Sequence, residues 1–295
     1  MNALETAFLN IADAIRNKNG SQDTYTPSQM PGAISAISGV DVANNAGAHN
    51  SIYRGKNLGT LVTQSQWDEI YAGTFDDLFI GDYWEIDNNE WRIAAFDYWY
   101  NYYGNDENIK NHHIVIVPDR LVGSNKKMEA TNITTNGYNG SEMKTTNLSE
   151  AKGIIENVFG SSHILTRKEY FTTGSENGYP SGTSFVISDV DLMNEHMVYG
   201  SITMGKNNPR LTSSNTWSAT RNTILSHSQL PLFRLNPSKI IALNTEGTRR
   251  MSYWLNDIVS AAAFAYGDYE GYAHAPSASL PSGVRPCFGI VGLSS

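Results

Sequence analysis

The chain has a single cysteine, Cys287, among its 295 residues, which excludes a disulfide framework within it. Charge is also scarce, since 17% of the residues are charged and the formal net charge is −8. Because no excess of lysine and arginine is present to neutralise phosphates, we expect binding neither to nucleic acid nor to anionic membranes. No apolar run is long enough to cross a bilayer, and the first residues lack the basic and apolar regions of a signal peptide. We therefore expect synthesis in a cytoplasm, without membrane insertion.

The sequence also lacks the short motifs of common enzyme classes. It has no glycine-rich phosphate loop, no Gly-x-Ser-x-Gly, no His-Glu-x-x-His and no paired-cysteine zinc spacing. We therefore expect no catalysis, no cofactor and no required metal. The carboxylates of Asp76, Asp77, Asp82 and Asp87 could ligate a cation, but carboxylates beside strands more often cap turns. Cys287 lies in an apolar strand pattern, which predicts a buried and unreactive thiol.

An apolar stripe marks the N-terminal end of the chain. Residues 3–16 have helical spacing, and a second short helix is expected at 27–37. A stripe this short needs partners to escape water, which favours a docking and self-association module. The stripe consists of Leu4, Phe8, Ile11 and Ile15.

Three regions follow from composition. Residues 1–38 form the helical module, and residues 39–52 have the glycine, asparagine and alanine content typical of a linker. Residues 53–295, within a chain that is 40% hydrophobic and 11% aromatic, are long enough for one large packed domain.

The main domain alternates helix and strand signals. Thr63 and Gln66 predict a capping box, and Gly73 ends that helix, whose residues Trp67, Ile70 and Tyr71 should face inward. Strands are predicted at 79–86, 90–96 and 113–117, and further helices at 149–160, with Ser149 as N-cap, and at 189–199. Thr166 and Glu169 are expected to cap a short turn, and Glu195 and His196 to lie on a solvated helix face. Long surface loops are expected at 200–244.

The stretch from 262 to 279 stands between two strand patterns, 251–255 and 283–290, and has neither a helical nor a strand period. Such a segment should lie on the surface, because burial would leave its backbone without partners. Tyrosine, serine, glycine, aspartate and histidine on an exposed segment are typical of a binding face. A second aromatic run, at 98–103, is expected to extend this face or to contact a neighbouring protomer.

The frame around that stretch, Tyr253-Trp254-Leu255 through Gly283-Val284-Arg285-Pro286, resembles the C-terminal variable region of C-type-lectin-like proteins. These proteins are targets of diversity-generating retroelements, as phage tropism determinants are, or undiversified tail-protein relatives. Residues 81–86 and 91–97 resemble the strand pair of the same domain in prophage tail proteins, so the resemblance covers roughly residues 53 to 295. The segment from 11 to 34 is similar to the N-terminal part of prophage tail and baseplate proteins.

The resemblance implies an α+β fold, a C-type-lectin-like domain with long loops behind a small helical module. It implies a phage or prophage tail-tip receptor-binding protein, located in the virion. The expected partners are a host-surface receptor, glycan or protein, and a tail or baseplate protein bound by the N-terminal module, with three copies in a homotrimer. Two alternatives stay open: a bacterial surface or secreted adhesin with the same fold, and a divergent enzyme of the related formylglycine-generating type. Those relatives use a cysteine pair, whereas this chain has one cysteine.

The resemblance also places the ligand-binding residues in the variable segment. Most residue types there can be encoded by replacing the adenines of an AAC codon, as adenine-directed mutagenesis does. Glu270 cannot arise in this way, so it is expected to be fixed or to mark an undiversified relative. The predicted ligand-binding residues are Ala263, Tyr266, Asp268, Tyr269, Tyr272, His274, Ala275, Pro276 and Ser277.

Overall fold

The computed structural model describes residues 3–19, 23–30, 33, 46–101, 109–206 and 228–294. The chain mixes helices and antiparallel strands, as the α+β prediction expected. It divides into two compact units, Met1–Ala43 and Asn44–Ser295.

The regular elements of the described residues are as follows. The helices are α1 (Ala3–Asn19), α2 (Ala46–His49), α3 (Gln64–Ala72), α4 (Leu148–Phe159), α5 (Glu195–Tyr199) and α6 (Pro231–Leu235). A π-helix (Met143–Asn147) and two 3₁₀ turns (Ser161–His163, Pro237–Ile240) accompany them. The strands are β1 (Tyr83–Ile86), β2 (Asn89–Phe96), β3 (Ile114–Pro118), β4 (Arg167–Glu176), β5 (Tyr179–Ser188), β6 (Val190–Leu192), β7 (Ala242–Leu243), β8 (Arg250–Met251), β9 (Tyr253–Ser260), β10 (Ala263–Gly267), β11 (Ala273–His274) and β12 (Pro286–Ile290).

An antiparallel sheet in the order β1-β2-β3-β12-β6 forms the centre of the larger unit. Every residue of β3 and β12 is buried, which explains why both read as continuous apolar runs rather than alternating ones. The turn between β1 and β2 holds Asp87 and Asn88 at φ of 50° and 60°, values that these two residue types tolerate well in two-residue hairpins. In this strand order the closing strand β12 lies inside the sheet, between β3 and β6, which come much earlier in the chain.

Helix α3 has the predicted ends. The Thr63 hydroxyl accepts the Gln66 N–H, the Gln66 side chain accepts the Thr63 N–H, and Gly73 ends the helix at φ 71°. The expectation that Tyr71 faces inward is wrong, because its side chain is exposed. Helix α4 begins at Leu148 after the π-helix, so Ser149 is not its N-cap; the Ser149 hydroxyl donates to the Thr146 carbonyl instead.

Several elements between 166 and 244 differ from the sequence prediction. Thr166 and Glu169 cap no turn, since β4 begins at Arg167 and forms a long hairpin with β5. The expected helix at 189–199 is mostly strand β6 followed by the short helix α5. Glu195 is fully buried rather than solvated, and its carboxylate accepts the backbone N–H groups of residues 203–205. The predicted loops at 200–244 contain helix α6, whose Leu232 and Phe233 lie in the core, and residues 207–227 lie outside the described residues.

The second part of the predicted linker, residues 39–52, belongs to the larger unit, and residues 39–45 lie outside the described residues. Helix α2 lies inside it, and the buried His49 contacts the Leu78 carbonyl through Nδ1 at 2.6 Å. Asn50 exchanges two hydrogen bonds with the backbone of Phe96. Residues 46–52 therefore belong to the larger unit. Of the predicted second helix at 27–37, Met30 and Ala33 are helical, and residues 31–32 and 34–37 lie outside the described residues.

Candidate ligand-binding surface

The predicted binding segment lies on a second, three-stranded sheet in the order β11-β10-β9. Its first half is a buried strand, contrary to the expectation of an irregular surface segment, because Phe264 and Ala265 pack into the core and β10 pairs with β9. Gly267 pairs with Tyr253, and a Cβ at Gly267 would come within 2.8 Å of the Tyr253 ring. The strand therefore fixes the position of the loop that follows it.

That loop, residues 268–272, is held from within by Asp268. The Asp268 Oδ1 accepts the N–H groups of Glu270 (2.8 Å) and Tyr272 (3.0 Å), while the Asp268 N–H donates to the Tyr272 carbonyl at 2.8 Å. The Gly271 N–H donates to the Asp268 carbonyl. Because the backbone groups bond to one another, the loop needs no ligand to keep its shape.

Two tyrosines project from this loop into solvent. The side chain of Tyr269 is 53% exposed and that of Tyr272 is 67% exposed. Glu270 between them is exposed as well. We call Tyr269, Glu270, Tyr272 and the adjacent exposed His274 the tyrosine surface. Large aromatic side chains held in water on an ordered loop are the usual anchors of a binding interface.

Tyr266 supports the tyrosine surface from below. It pairs with His274 across the strands, and its ring is edge-on to the imidazole with centroids 5.5 Å apart. The centroid of its ring also lies 6.1 Å from that of the buried Trp254. Burial raises the pKa of the Tyr266 hydroxyl. Tyr266 is half-buried, and its ring contacts stabilise the hairpin.

The chain beyond His274 is anchored at Ala278. The Ala278 N–H donates to the Ala262 carbonyl, and its own carbonyl accepts the N–H groups of Met128 and Glu129. The Ser279 hydroxyl donates to Asn132 Oδ1 at 2.6 Å. The exposed segment therefore has a fixed point at each end, β10 on one side and Ala278 on the other.

The structure sorts the predicted ligand-binding residues by their access to solvent. Ala263 and Asp268, expected on the binding face, are buried, because Ala263 pairs within the sheet and the Asp268 carboxylate serves the loop backbone. Three residues are half-buried: Tyr266, Ala275 and Pro276. Four are exposed: Tyr269, Tyr272, His274 and Ser277.

Two buried residues lie at the start of the closing strand, and one of them, Arg285, contacts both this sheet and the central one. Arg285 is fully buried, and its Nε donates to the Pro118 carbonyl at 2.8 Å. Cys287 is buried in β12, as predicted, and burial raises the pKa of its thiol to about 12. The structural role of Arg285 was missed because an arginine at this position gives no sequence signal of burial.

Two of the four carboxylates considered as cation ligands, Asp77 and Asp82, are paired with basic side chains. Asp82 is fully buried and accepts Arg54 Nη2 at 2.6 Å, the Lys56 N–H and the Phe79 N–H. Asp77 bonds to Arg54 and to Lys56 Nζ. Among the described residues, no group of three or more histidine, cysteine, aspartate or glutamate side chains could hold a metal ion.

The second aromatic run is only partly described. The Tyr98 hydroxyl donates to the Ser228 carbonyl, and Trp99 is fully buried with the Arg167 guanidinium 3.9 Å from its ring centroid. Tyr100 stacks on His112 with centroids 4.6 Å apart. Tyr102 and Tyr103, which complete the run, lie outside the described residues.

No helix within the described part of the chain has the length and apolar character needed to cross a membrane. Comparison of the chain with protein-family models, with curated proteins and with solved structures finds no match.

Proposed function

We propose that the protein is a receptor-binding protein of a phage or prophage tail tip, and that the tyrosine surface binds the host receptor. The observation that carries the proposal is the pair of exposed tyrosines, Tyr269 and Tyr272, on a loop whose backbone bonds are satisfied internally. An aromatic surface that is already ordered before binding loses little conformational entropy when a partner docks. Binding, rather than chemistry, is the function that such a surface supports.

The charge of the tyrosine surface limits the ligand. The segment from 263 to 281 contains no lysine or arginine, and Glu270 stands between the two tyrosines. Like-charge repulsion disfavours a polyanionic ligand at this position. A neutral glycan or a protein surface fits this chemistry, since tyrosine offers both an apolar ring face and a hydroxyl group.

The larger unit is proposed to be a C-type-lectin-like domain. The burial of the closing strand β12 between β3 and β6, and the display of a loop by a second small sheet, support this assignment. In this proposal the N-terminal unit attaches the protein to a tail or baseplate protein in the virion. Several copies on one particle would raise a weak single-site affinity by avidity.

The test is the double variant Tyr269→Ala/Tyr272→Ala, compared with Tyr179→Ala. Tyr179 is a matched control, because it is 49% exposed on β5, outside the tyrosine surface. Both variants should melt within about 2 °C of the wild type, since an exposed side chain rarely alters the free energy of unfolding by more than about 0.5 kcal/mol. Adsorption of purified protein to host cells should fall at least about tenfold in the double variant alone, the equivalent of about 1.4 kcal/mol. A double variant that is folded and adsorbs normally would contradict the proposal.

A further inference from the structure

Helix α1 has two apolar faces that differ in what covers them. Ala12 and Ile15 are buried in a small cluster with Met30, and Phe8 packs against it. Leu4 is 65% exposed and Ile11 is 40% exposed. The sequence pattern predicts one apolar stripe. In the structure Phe8 and Ile15 of that stripe are covered, whereas Leu4 and Ile11 are exposed to solvent.

The uncovered half has the spacing of a helix–helix seam. Leu4 and Ile11 are seven residues apart, and so are the exposed alanines Ala7 and Ala14. Positions 4, 7, 11 and 14 alternate steps of three and four, so they follow one side of a helix for two heptads. Alanine at every second position lets a facing helix approach closely. The next heptad position is Lys18, so the apolar seam ends there.

The described residues of the N-terminal unit bury few side chains. It spans Met1–Ala43, and its described core consists of three buried side chains. Units of about 40 residues normally require a disulfide, a metal or oligomerisation to remain folded. The single cysteine lies in the other unit, and the described residues contain no metal-binding cluster. Of these three routes to stability, oligomerisation is the one that the uncovered half of the stripe supports.

We infer that the seam formed by Leu4, Ala7, Ile11 and Ala14 binds the same seam of a second copy of this chain. A second copy fits because the seam carries no charge that would meet itself. By helical position, Glu5, Asp13 and Arg16 lie away from the seam, and Asp13 and Arg16 form an ion pair with each other. The uncharged Asn10 flanks the seam. Two identical apolar seams therefore meet without like-charge repulsion.

The experiment is light scattering on the full-length chain across a range of concentrations. The wild type should have a mass of two or more chains of 32.5 kDa each. Leu4→Glu/Ile11→Glu should give 32.5 kDa at all concentrations, because carboxylates placed in the seam repel one another. Leu9→Glu is the matched control, since Leu9 is 48% exposed on the other side of α1 and its substitution should leave the oligomer intact. Leu4→Ala/Ile11→Ala, which preserves helix propensity, should shift dissociation to a higher concentration.

A monomeric wild type would overturn the inference and would point to a seam covered by another protein or by the chain itself. An oligomer that survives the Leu4→Glu/Ile11→Glu substitution, or one that Leu9→Glu also abolishes, would overturn it as well. The inference does not rest on receptor binding, because Tyr269→Ala/Tyr272→Ala should leave the mass unchanged.

Discussion

Arg285 and Tyr253 donate to the same carbonyl, that of Ile240, through Nη1 at 2.9 Å and through the phenol at 2.8 Å. Both side chains are fully buried, and the guanidinium carbon lies 5.1 Å from the centroid of the Tyr253 ring. The Tyr253 ring in turn occupies the space that a side chain at Gly267 would need. One buried contact thus joins the segment before β12, strand β9 and the strand that leads to the tyrosine surface.

We expect Arg285→Met to lower the free energy of unfolding by about 3 kcal/mol, because it leaves the Pro118 carbonyl without its donor and removes a packed guanidinium. Tyr253→Phe, which removes only the hydroxyl, should lower it by about 1 kcal/mol. Urea denaturation of the two variants measures both values. Equal and small losses would show that the buried guanidinium is not needed for stability.

How much of this arrangement is visible in the sequence depends on the range of the interaction. The capping box at Thr63 and Gln66 and the turn at Asp87 and Asn88 are local, so residue type and spacing predict them. The burial of Arg285 is not local, because its acceptors at Pro118 and Ile240 lie far away in the chain. Residue type alone favours an exposed arginine.

The same distinction between local and long-range interactions applies to the binding segment. Its composition correctly indicates exposure for Tyr269, Tyr272 and His274. It gives no sign that Ala263 pairs inside a sheet, since alanine and glycine fit a buried strand as readily as a surface loop. Ala263 is buried because β10 pairs with β9. The register of such a pairing cannot be inferred from small residues with little hydrophobic contrast.

A pH dependence is expected from His113. Its ring is fully buried and stacked on the Trp99 ring. Its Nε2 accepts the backbone N–H of Trp99 at 3.0 Å, and its Nδ1 lies 2.9 Å from the Asn111 carbonyl. Burial lowers the pKa of His113 to about 4. The unfolded chain therefore binds a proton below about pH 6.5 that the folded chain does not bind, so stability falls as pH decreases from about 6.5 to about 4.

The contribution of His113 to stability should fall by about 3 kcal/mol over that range, since each unit of difference in pKa corresponds to about 1.4 kcal/mol. The buried Asp257, whose pKa burial raises to about 7, acts in the opposite direction. Urea denaturation of the wild type and of His113→Gln at several pH values isolates the contribution of His113 as the difference between the two. His112 is the control, because it is partly exposed and its replacement by Gln leaves the buried imidazole in place. An NMR titration in which His113 gains its proton above pH 6 would contradict the prediction.

Cys287 should be unreactive in the folded protein. Its side chain is buried and burial raises the pKa of its thiol, so the reactive thiolate is scarce at neutral pH. A thiol reagent should modify the protein in urea but not in buffer, and Cys287→Ala should cost about 1 kcal/mol and leave adsorption unchanged. Rapid modification of the native protein would show that the closing strand opens.

Removal of divalent cations should leave the melting temperature unchanged, because Asp77 and Asp82 are already paired with basic side chains. Arg54→Met should instead lower the free energy of unfolding by about 3 kcal/mol, since it leaves Asp82 buried without its cation. Lys56→Met is the control, because it removes an exposed pair with Asp77 and should cost less than about 1 kcal/mol. A large drop in melting temperature on addition of a chelator would show that a cation binds near these residues.

Tolerance to substitution between 263 and 281 should follow burial rather than sequence position. Tyr269, Glu270, Tyr272 and His274 are exposed, so most replacements there should change the free energy of unfolding by less than about 0.5 kcal/mol. Substitutions at the buried positions should cost about 2 kcal/mol or more, because Gly267 lies against the Tyr253 ring and Ala278 is fully buried. The buried positions are Ala263, Gly267, Asp268 and Ala278.

A library randomised at each position in turn, sorted by resistance to protease, measures this tolerance. Variants at the exposed positions should remain folded and differ in the host cells they adsorb to, whereas variants at the buried positions should be lost before any binding is tested. Equal survival at both classes would mean that β10 does not hold the loop. Folded exposed-position variants that all keep the adsorption of the wild type would place the receptor contact outside the tyrosine surface, because a side chain that contacts the receptor cannot be replaced at random without altering affinity.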